Sequence, residues 1–400
     1  MQKAVDIAVW NLEYYLGCLI ALEMQEGNHI ALWRKPKSNV LEIIIDRQKK
    51  PKRVELNIED QSPGFIVHPF EDQVDGKAFF LEADTYFQID LSIPFEEQAD
   101  QIAPLKRTLD ADLIKAAIRQ GFVKSDEDLD PKSSRACSKK DFIELVIEGI
   151  QAIKSGQLVK IVPARLKKKA LGKDFDLILS LKSLLYSYPN AFINFFHIPG
   201  VGTWLGASPE ILIQTKGDAF FTMSLAGTQK AKGDNPMKNA AWTQKEIEEQ
   251  ALVSRYIVDC FKKIRLREYE ELGPKTVVAG NLLHLRSDFK VDMKATNFPQ
   301  LGSVMLKLLQ PTSAVCGMPR NKAFDFLRRY EKLDRSLFAG FIGPVNIEGE
   351  TCIYVNLRTA RLTENEAYLY AGAGVTEDSV PEKEWEETEM KCEIIGKHLK

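Results

Sequence analysis

Apolar positions along this chain alternate between two rhythms, one repeating every three or four residues and one every two. The helical rhythm is clearest in Leu252, Val253, Tyr256, Ile257, Cys260, Phe261 and Ile264, which predict a long helix from about Trp242 to Ile264. Ser138, with Asp141 three residues on, precedes Phe142, Leu145, Val146, Ile150 and Ile153, a capped helix start. Further helices are expected at Asp176 to Tyr188, Leu301 to Leu309 and Asn321 to Leu333, with an amphipathic segment near Ile7 to Met24. A last one starts at Pro381, whose missing N–H is not needed at a first helical position.

Strand-like runs fill the rest. They fall at Ile30 to Trp33, Val40 to Ile45, Arg53 to Ile58, Ala78 to Ile89, Leu158 to Leu166, Ala191 to Ile198, Gly202 to Ala207, Glu210 to Gln214 and Ala219 to Leu225. Others follow at Val277 to Phe289, Phe338 to Val345, Thr351 to Arg361 and Ala367 to Ala371. Many successive strands are hairpin-like and lack a regular βαβ alternation, so the expected class is α+β. The polar, turn-rich segment Ser125 to Ser138 predicts a boundary or long loop. It separates a strand-rich N-terminal region, residues 1–135, from residues 136–400, which hold every motif discussed below.

Composition narrows the class. Among 400 residues, 44% are hydrophobic and 28% charged, which is globular composition, and nothing in a net charge of -2 suggests nucleic acid or an anionic membrane as the main partner. Six scattered cysteines without a C-x-x-C pair argue against zinc and disulfides and fit a reducing compartment. The apolar run Leu16 to Leu22 is too short to span a bilayer. A soluble, cytoplasmic protein is expected.

Candidate chemistry starts in the helix from Pro381. Glu384, Glu387 and Lys391 share one face, and one turn further that face becomes Ile394 and Ile395. Taken alone, these charges are a solvated helix start that complements the macrodipole. The long helix supplies a second set: its apolar stripe, extended back one turn, reaches Glu249, with Lys245 a turn earlier. Carboxylates converging from two helices repel unless a cation sits between them, and Mg²⁺ suits that ligand set. Against this, Glu249 alone also fits a first-turn residue in solvent. Lys160 interrupts the apolar run Leu158, Val159, Ile161, Val162; pointing outward it is unremarkable surface, and pointing inward it becomes a usable general base. Glu210 follows a Gly-Ala-Ser-Pro turn, and Arg358, in what reads as a strand, is a candidate partner for an anion. The glycines of Gly200 to Gly206 do not fit a dinucleotide fingerprint, and His284 has no second histidine placed for a metal.

Eight motifs occur in one order: KIVPAR, WLGASPEIL, SLAGT, KEIEEQALV, LLHLRS, LQPTSAVCGMP, VNLRTARL and AGAGVTEDSVPEKEWEETEMK. From about residue 140 to the end the chain thereby resembles the chorismate-utilising enzymes, a family of isochorismate, salicylate, anthranilate and aminodeoxychorismate synthases. The resemblance implies a single large domain of the anthranilate synthase component I type, with antiparallel sheets sandwiched by helices. It implies chorismate as substrate and Mg²⁺ as cofactor. Glu249 and Glu387 match the family's metal ligands, with Glu384 beside them. Arg358 and Lys391 match carboxylate-binding positions, Gly372 the backbone that approaches substrate, and Thr228 and His284 pocket-lining positions. Lys160 matches the base that activates water for attack at C2, and Glu210 the acid that helps the C4 hydroxyl leave.

Family members that use ammonia carry Gln at the position of Lys160, so Lys160 implies water as nucleophile and no glutaminase subunit. PTSAVCGMP resembles the isochorismate synthase form. Isochorismate synthase is the expectation, salicylate synthase the alternative, and an aminating anthranilate-type synthase the more distant one. Gln250, Ser313 and Ser336 depart from the family pattern without removing an acid, base or metal ligand. The residues do not choose between menaquinone and siderophore synthesis as the product's destination. No partner-binding motif is present, and a monomer is expected.

Overall fold

Residues 11–71, 75–126, 136–230, 236–279 and 282–400 are described in the computed structural model of this chain. Their strands form two large sheets and a small one, and every pairing between named strands is antiparallel. The first sheet has eight strands in the order Thr85–Asp90, Val40–Asp46, His29–Arg34, Phe192–Ile198, Gly202–Ser208, Thr359–Leu362, Glu366–Gly372, Ala164–Ala170. The second has nine, in the order Glu270–Ala279, Leu282–Asp292, Ala219–Lys230, Ile211–Lys216, Glu350–Val355, Phe341–Val345, Gly64–His68, Ala78–Glu82, Lys52–Val54. Lys160–Ile161 and Gly317–Met318 pair by themselves.

The sheets are packed face to face by aromatic side chains. Phe192 of the first stacks on Tyr354 of the second at 4.0 Å, and Trp33 lies 5.3 Å from Phe65. The strand His29–Arg34 is buried at every position because its two faces serve two cores. Ala31 and Trp33 point between the sheets, whereas Ile30 and Leu32 pack with residues of the helices Leu12–Glu26, Ala111–Asp126, Leu177–Ser187 and Pro381–Gly396. On the second sheet, Tyr256, Ile257 and Phe261 of helix Gln244–Lys263 pack with Phe220 and Phe289. These layers are the antiparallel sheets flanked by helices that the family resemblance implies.

Several predicted strands divide. Ala78 to Ile89 is two strands in different sheets, Ala78–Glu82 and Thr85–Asp90. Thr351 to Arg361 is likewise Glu350–Val355 in the second sheet and Thr359–Leu362 in the first. Val277 to Phe289 is the second arm of a hairpin with the end of the first. Leu158 to Leu166 breaks ahead of Ala164 at Pro163, which has no N–H to give a ladder. Arg53 to Ile58 keeps a strand only at Lys52–Val54. Strand Gly64–His68 and helix Ala111–Asp126 are additional. An apolar run reports burial, and a chain crossing from one buried sheet to another is buried throughout, so the pattern does not mark the crossing. Most of the expected boundary at Ser125 to Ser138, and the start of the segment at Ile7, lie outside the described residues. Strands from before residue 135 enter both large sheets.

Candidate active site

Two of the crossings between sheets are adjacent. The chain leaves Gly202–Ser208 and enters Ile211–Lys216 through Pro209 and Glu210, and it leaves Glu350–Val355 and enters Thr359–Leu362 through Asn356, Leu357 and Arg358. Backbone bonds from Val355 N to Glu210 O (3.1 Å) and from Ala207 N to Arg358 O (2.9 Å) tie them together. Arg358 is thus not within a strand, as the apolar pattern suggests, but in the turn, with φ of 48°. That left-handed backbone aims its side chain away from both sheets' alternation. Glu210 and Arg358 line one cavity at this corner, with Thr228 and His284 of the second sheet, Glu249 of the long helix, Gly372, and Glu387 and Lys391 of the last helix.

Lys160 lies beside it. In Val159–Lys160 the hydrophobic alternation is inverted: Val159 is 48% exposed and Lys160 0%. A buried lysine is unfavourable by several kcal/mol unless paired. Its partner is Glu249, with Nζ 2.9 Å from Oε1. Burial works against the Glu249 charge, but Lys160, Lys245 and Lys391 together outweigh it and hold the carboxyl below its ordinary range. Gly374, to which the apolar pattern assigns only the end of a strand, makes room for the pair. A Cβ there would stand 2.3 Å from Glu249 Oε1 and 3.2 Å from Lys160 Cε. Its signal in the sequence is its place as the second glycine of AGAG, which carries no spatial information by itself.

Glu210 is the opposite case. Burial raises its carboxyl to about 8, and the opposing charges of Lys160, Arg358 and Lys391 do not cancel that effect. It is protonated at neutral pH and able to donate. Burial, then Arg358, lowers His284 to about 3. The imidazole is neutral, and because Nδ1 lies 2.7 Å from the Gly227 carbonyl, Nδ1 carries the hydrogen. Nε2 is left an acceptor with no partner among the described residues. Burial lowers Arg358 to about 10, against Glu387 and Glu210, so it stays charged at neutral pH. Lys391 Nζ donates to Glu387 Oε1 (2.6 Å) and to the Gly372 carbonyl (2.8 Å). The Gly372 backbone therefore holds Lys391 as well as lining the cavity.

Glu384 is set apart from the other two glutamates. It is buried but does not line the cavity, and Lys245 Nζ lies 2.5 Å from its Oε1. Burial raises its carboxyl despite Lys245, and the neighbouring Glu387 charge adds to the rise. Among the described residues no three His, Cys, Asp or Glu side chains are gathered into a ready metal cage. Glu249 and Glu387 nevertheless offer hard carboxylate oxygens to one cavity, the donor type Mg²⁺ takes when ligand oxygens complete its shell. No helix of the described residues is long and apolar enough to cross a membrane.

Residues 80–400 match a family model described as chorismate binding enzyme. Over 261 residues, 64% of this chain and 66% of the relative, the sequence is 29% identical to isochorismate synthase EntC of Escherichia coli (strain K12). The match thus spans just under two-thirds of that relative's length. Anthranilate synthase component 1 of Aquifex aeolicus (strain VF5) is 24% identical over 274 residues, 66% of this chain and 53% of that protein. The solved structure of MenF, the menaquinone-specific isochorismate synthase of Escherichia coli, has the same fold, with a TM-score of 0.71 at 19% identity over 100% of this chain and 92% of its own.

Proposed function

This chain belongs to the family of chorismate binding enzymes, and from that premise we propose that it is an isochorismate synthase. The observation that carries this is the division of labour around one cavity: a buried lysine beside a carboxylate, and a separate buried carboxyl that is protonated at neutral pH. In the proposed reaction Lys160 acts as the neutral amine: a Glu249 carboxylate engaged by Mg²⁺ would no longer compensate the lysine charge, and Lys160 then takes a proton from water as its oxygen bonds to C2 of chorismate. Both ring double bonds shift along the diene, the C4–O bond breaks, and Glu210 gives its proton so that the hydroxyl leaves as water. Water in and water out leave an isomer. Arg358 and Lys391 meet the two substrate carboxylates, and His284 Nε2 accepts a hydrogen bond from a substrate hydroxyl. Glu249 and Glu387 would hold Mg²⁺, which would supply positive charge for the ring carboxylate. Water as nucleophile requires no ammonia-supplying subunit.

The test is chromatography of the products formed from chorismate and Mg²⁺. Isochorismate is expected. Salicylate with pyruvate, or anthranilate formed when ammonia is added, would overturn the assignment in favour of another branch of the family.

A further inference from the structure

Glu249 and Glu387 reach the cavity from different helices, Gln244–Lys263 and Pro381–Gly396, and their separation depends on how those helices are held. Lys245 stands four residues before Glu249 on the first helix, and Glu384 three before Glu387 on the second, so each is one turn back on the same face. The ion pair between them, 2.5 Å, is the one hydrogen bond that joins the two helices among the described residues. Glu384 is 2% exposed, whereas Lys245 keeps 27% of its side chain in solvent. Lys245 is not among the residues lining the cavity, and its ammonium is attracted first to Glu384 and more weakly to Glu249 and Glu387. Arg165 holds the same helix from another element, with its guanidinium 3.8 Å over Trp385 and its Nε 2.6 Å from Thr388 Oγ1.

We infer that Lys245 and Glu384 form a clamp between the two helices that sets the spacing of Glu249 and Glu387, and that Glu384 is a positioning residue and not a metal ligand. The clamp stands on the geometry; its consequence for metal binding rests on the magnesium reading above. A buried carboxylate paired at 2.5 Å to a lysine has one oxygen already engaged, and neither member of the pair lines the cavity.

The test uses the full chain, with Mn²⁺ as the paramagnetic stand-in for Mg²⁺, and variants Lys245→Met, Glu384→Gln, their combination, and Lys245→Arg. Two measurements are made: Mn²⁺ affinity by electron paramagnetic resonance without substrate, and amide hydrogen exchange over Pro381–Gly396. With a clamp, Lys245→Met and Glu384→Gln each weaken Mn²⁺ binding about tenfold, as loss of a ligand-orienting partner does. The combination is no worse than either single change, both lose exchange protection in the first two turns, and Lys245→Arg retains it. A ligand role gives opposite signs: Glu384→Gln weakens binding, and Lys245→Met, which removes a competing cation, tightens it. That result, or unchanged exchange in both single variants, overturns the clamp. Circular dichroism melts identify a variant that does not fold, in which case the charge-retaining Lys245→Arg and a Glu384→Asp variant are compared by the same two readouts. If the wild-type chain binds no Mn²⁺, the magnesium reading fails, and hydrogen exchange alone decides the clamp.

Discussion

The space between the sheets and the cavity at their corner are both buried, but they are held by different physics. Between the sheets, Trp33, Phe65, Phe192, Phe196, Trp204 and Tyr354 pack with ring centroids 4.0 to 6.4 Å apart. Their stabilisation is non-directional and scales with the apolar area removed from water. At the corner, Lys160, Glu210, His284 and Glu384 are as deeply buried as those rings, yet each carries a polar or charged group. Burying such groups is unfavourable, and only partners at hydrogen-bond distance or a changed protonation state make it tolerable. Lys160 and Glu384 use partners; Glu210 and His284 are neutral. The lesson is that the core should tolerate losses of chemistry but not of volume, and the corner the reverse.

The largest expected effect breaks the corner and spares the core. Lys160→Ala should lower turnover of chorismate by about 10²- to 10⁴-fold, the usual contribution of a general base, while far-ultraviolet circular dichroism stays native. A variant with wild-type rates would remove the base assignment. The converse change, Phe65→Ala between the sheets, should cost about 3–5 kcal/mol of stability in urea unfolding and leave turnover per folded molecule nearly unchanged. A smaller and more selective effect is expected from Glu387→Gln, which should raise the Mg²⁺ concentration for half-maximal activity about tenfold or more. An unchanged magnesium titration would count against Glu387 as a ligand. The finest distinction is in pH. Because the Glu210 carboxyl is raised to about 8, its acid form is present below that pH and lost above it. Turnover should therefore decline by about tenfold per unit above pH 8, with no such limb between pH 5 and 7 from this group. A profile still rising at pH 9 would mean that Glu210 does not act as the acid.

Much of the molecule is legible without coordinates, but unevenly. The stripe ending at Ile264 locates the long helix to within two residues at its start and one at its end, and Pro381 marks the start of the last helix. The same spacing rules put Glu384 and Glu387 on one face. They do not say that Glu387 faces the cavity while Glu384 is occupied by Lys245, because that depends on how a second helix is placed. Arg358 shows the limit for strands. Its neighbours Val355 and Leu357 are apolar, and periodicity continues the strand through it, whereas the chain there is changing sheets with a left-handed backbone. Gly374 is named by its spelling, and its function, room for the Lys160–Glu249 pair, exists only once two distant segments meet.

By itself, then, the sequence determined where most of the helices lie, that many successive strands form hairpins, and, through eight ordered motifs, the family and the residue types of the site. Each of these is local: side chains along one segment dictate its period and its buried face. The tertiary structure alone decided that Val159 faces out and Lys160 in, that a carboxyl at Glu210 keeps its proton, and that Lys245 belongs to Glu384. Burial and charge pairing are sums over neighbours from separate segments, 139 residues apart for Lys245 and Glu384, and no single segment carries them.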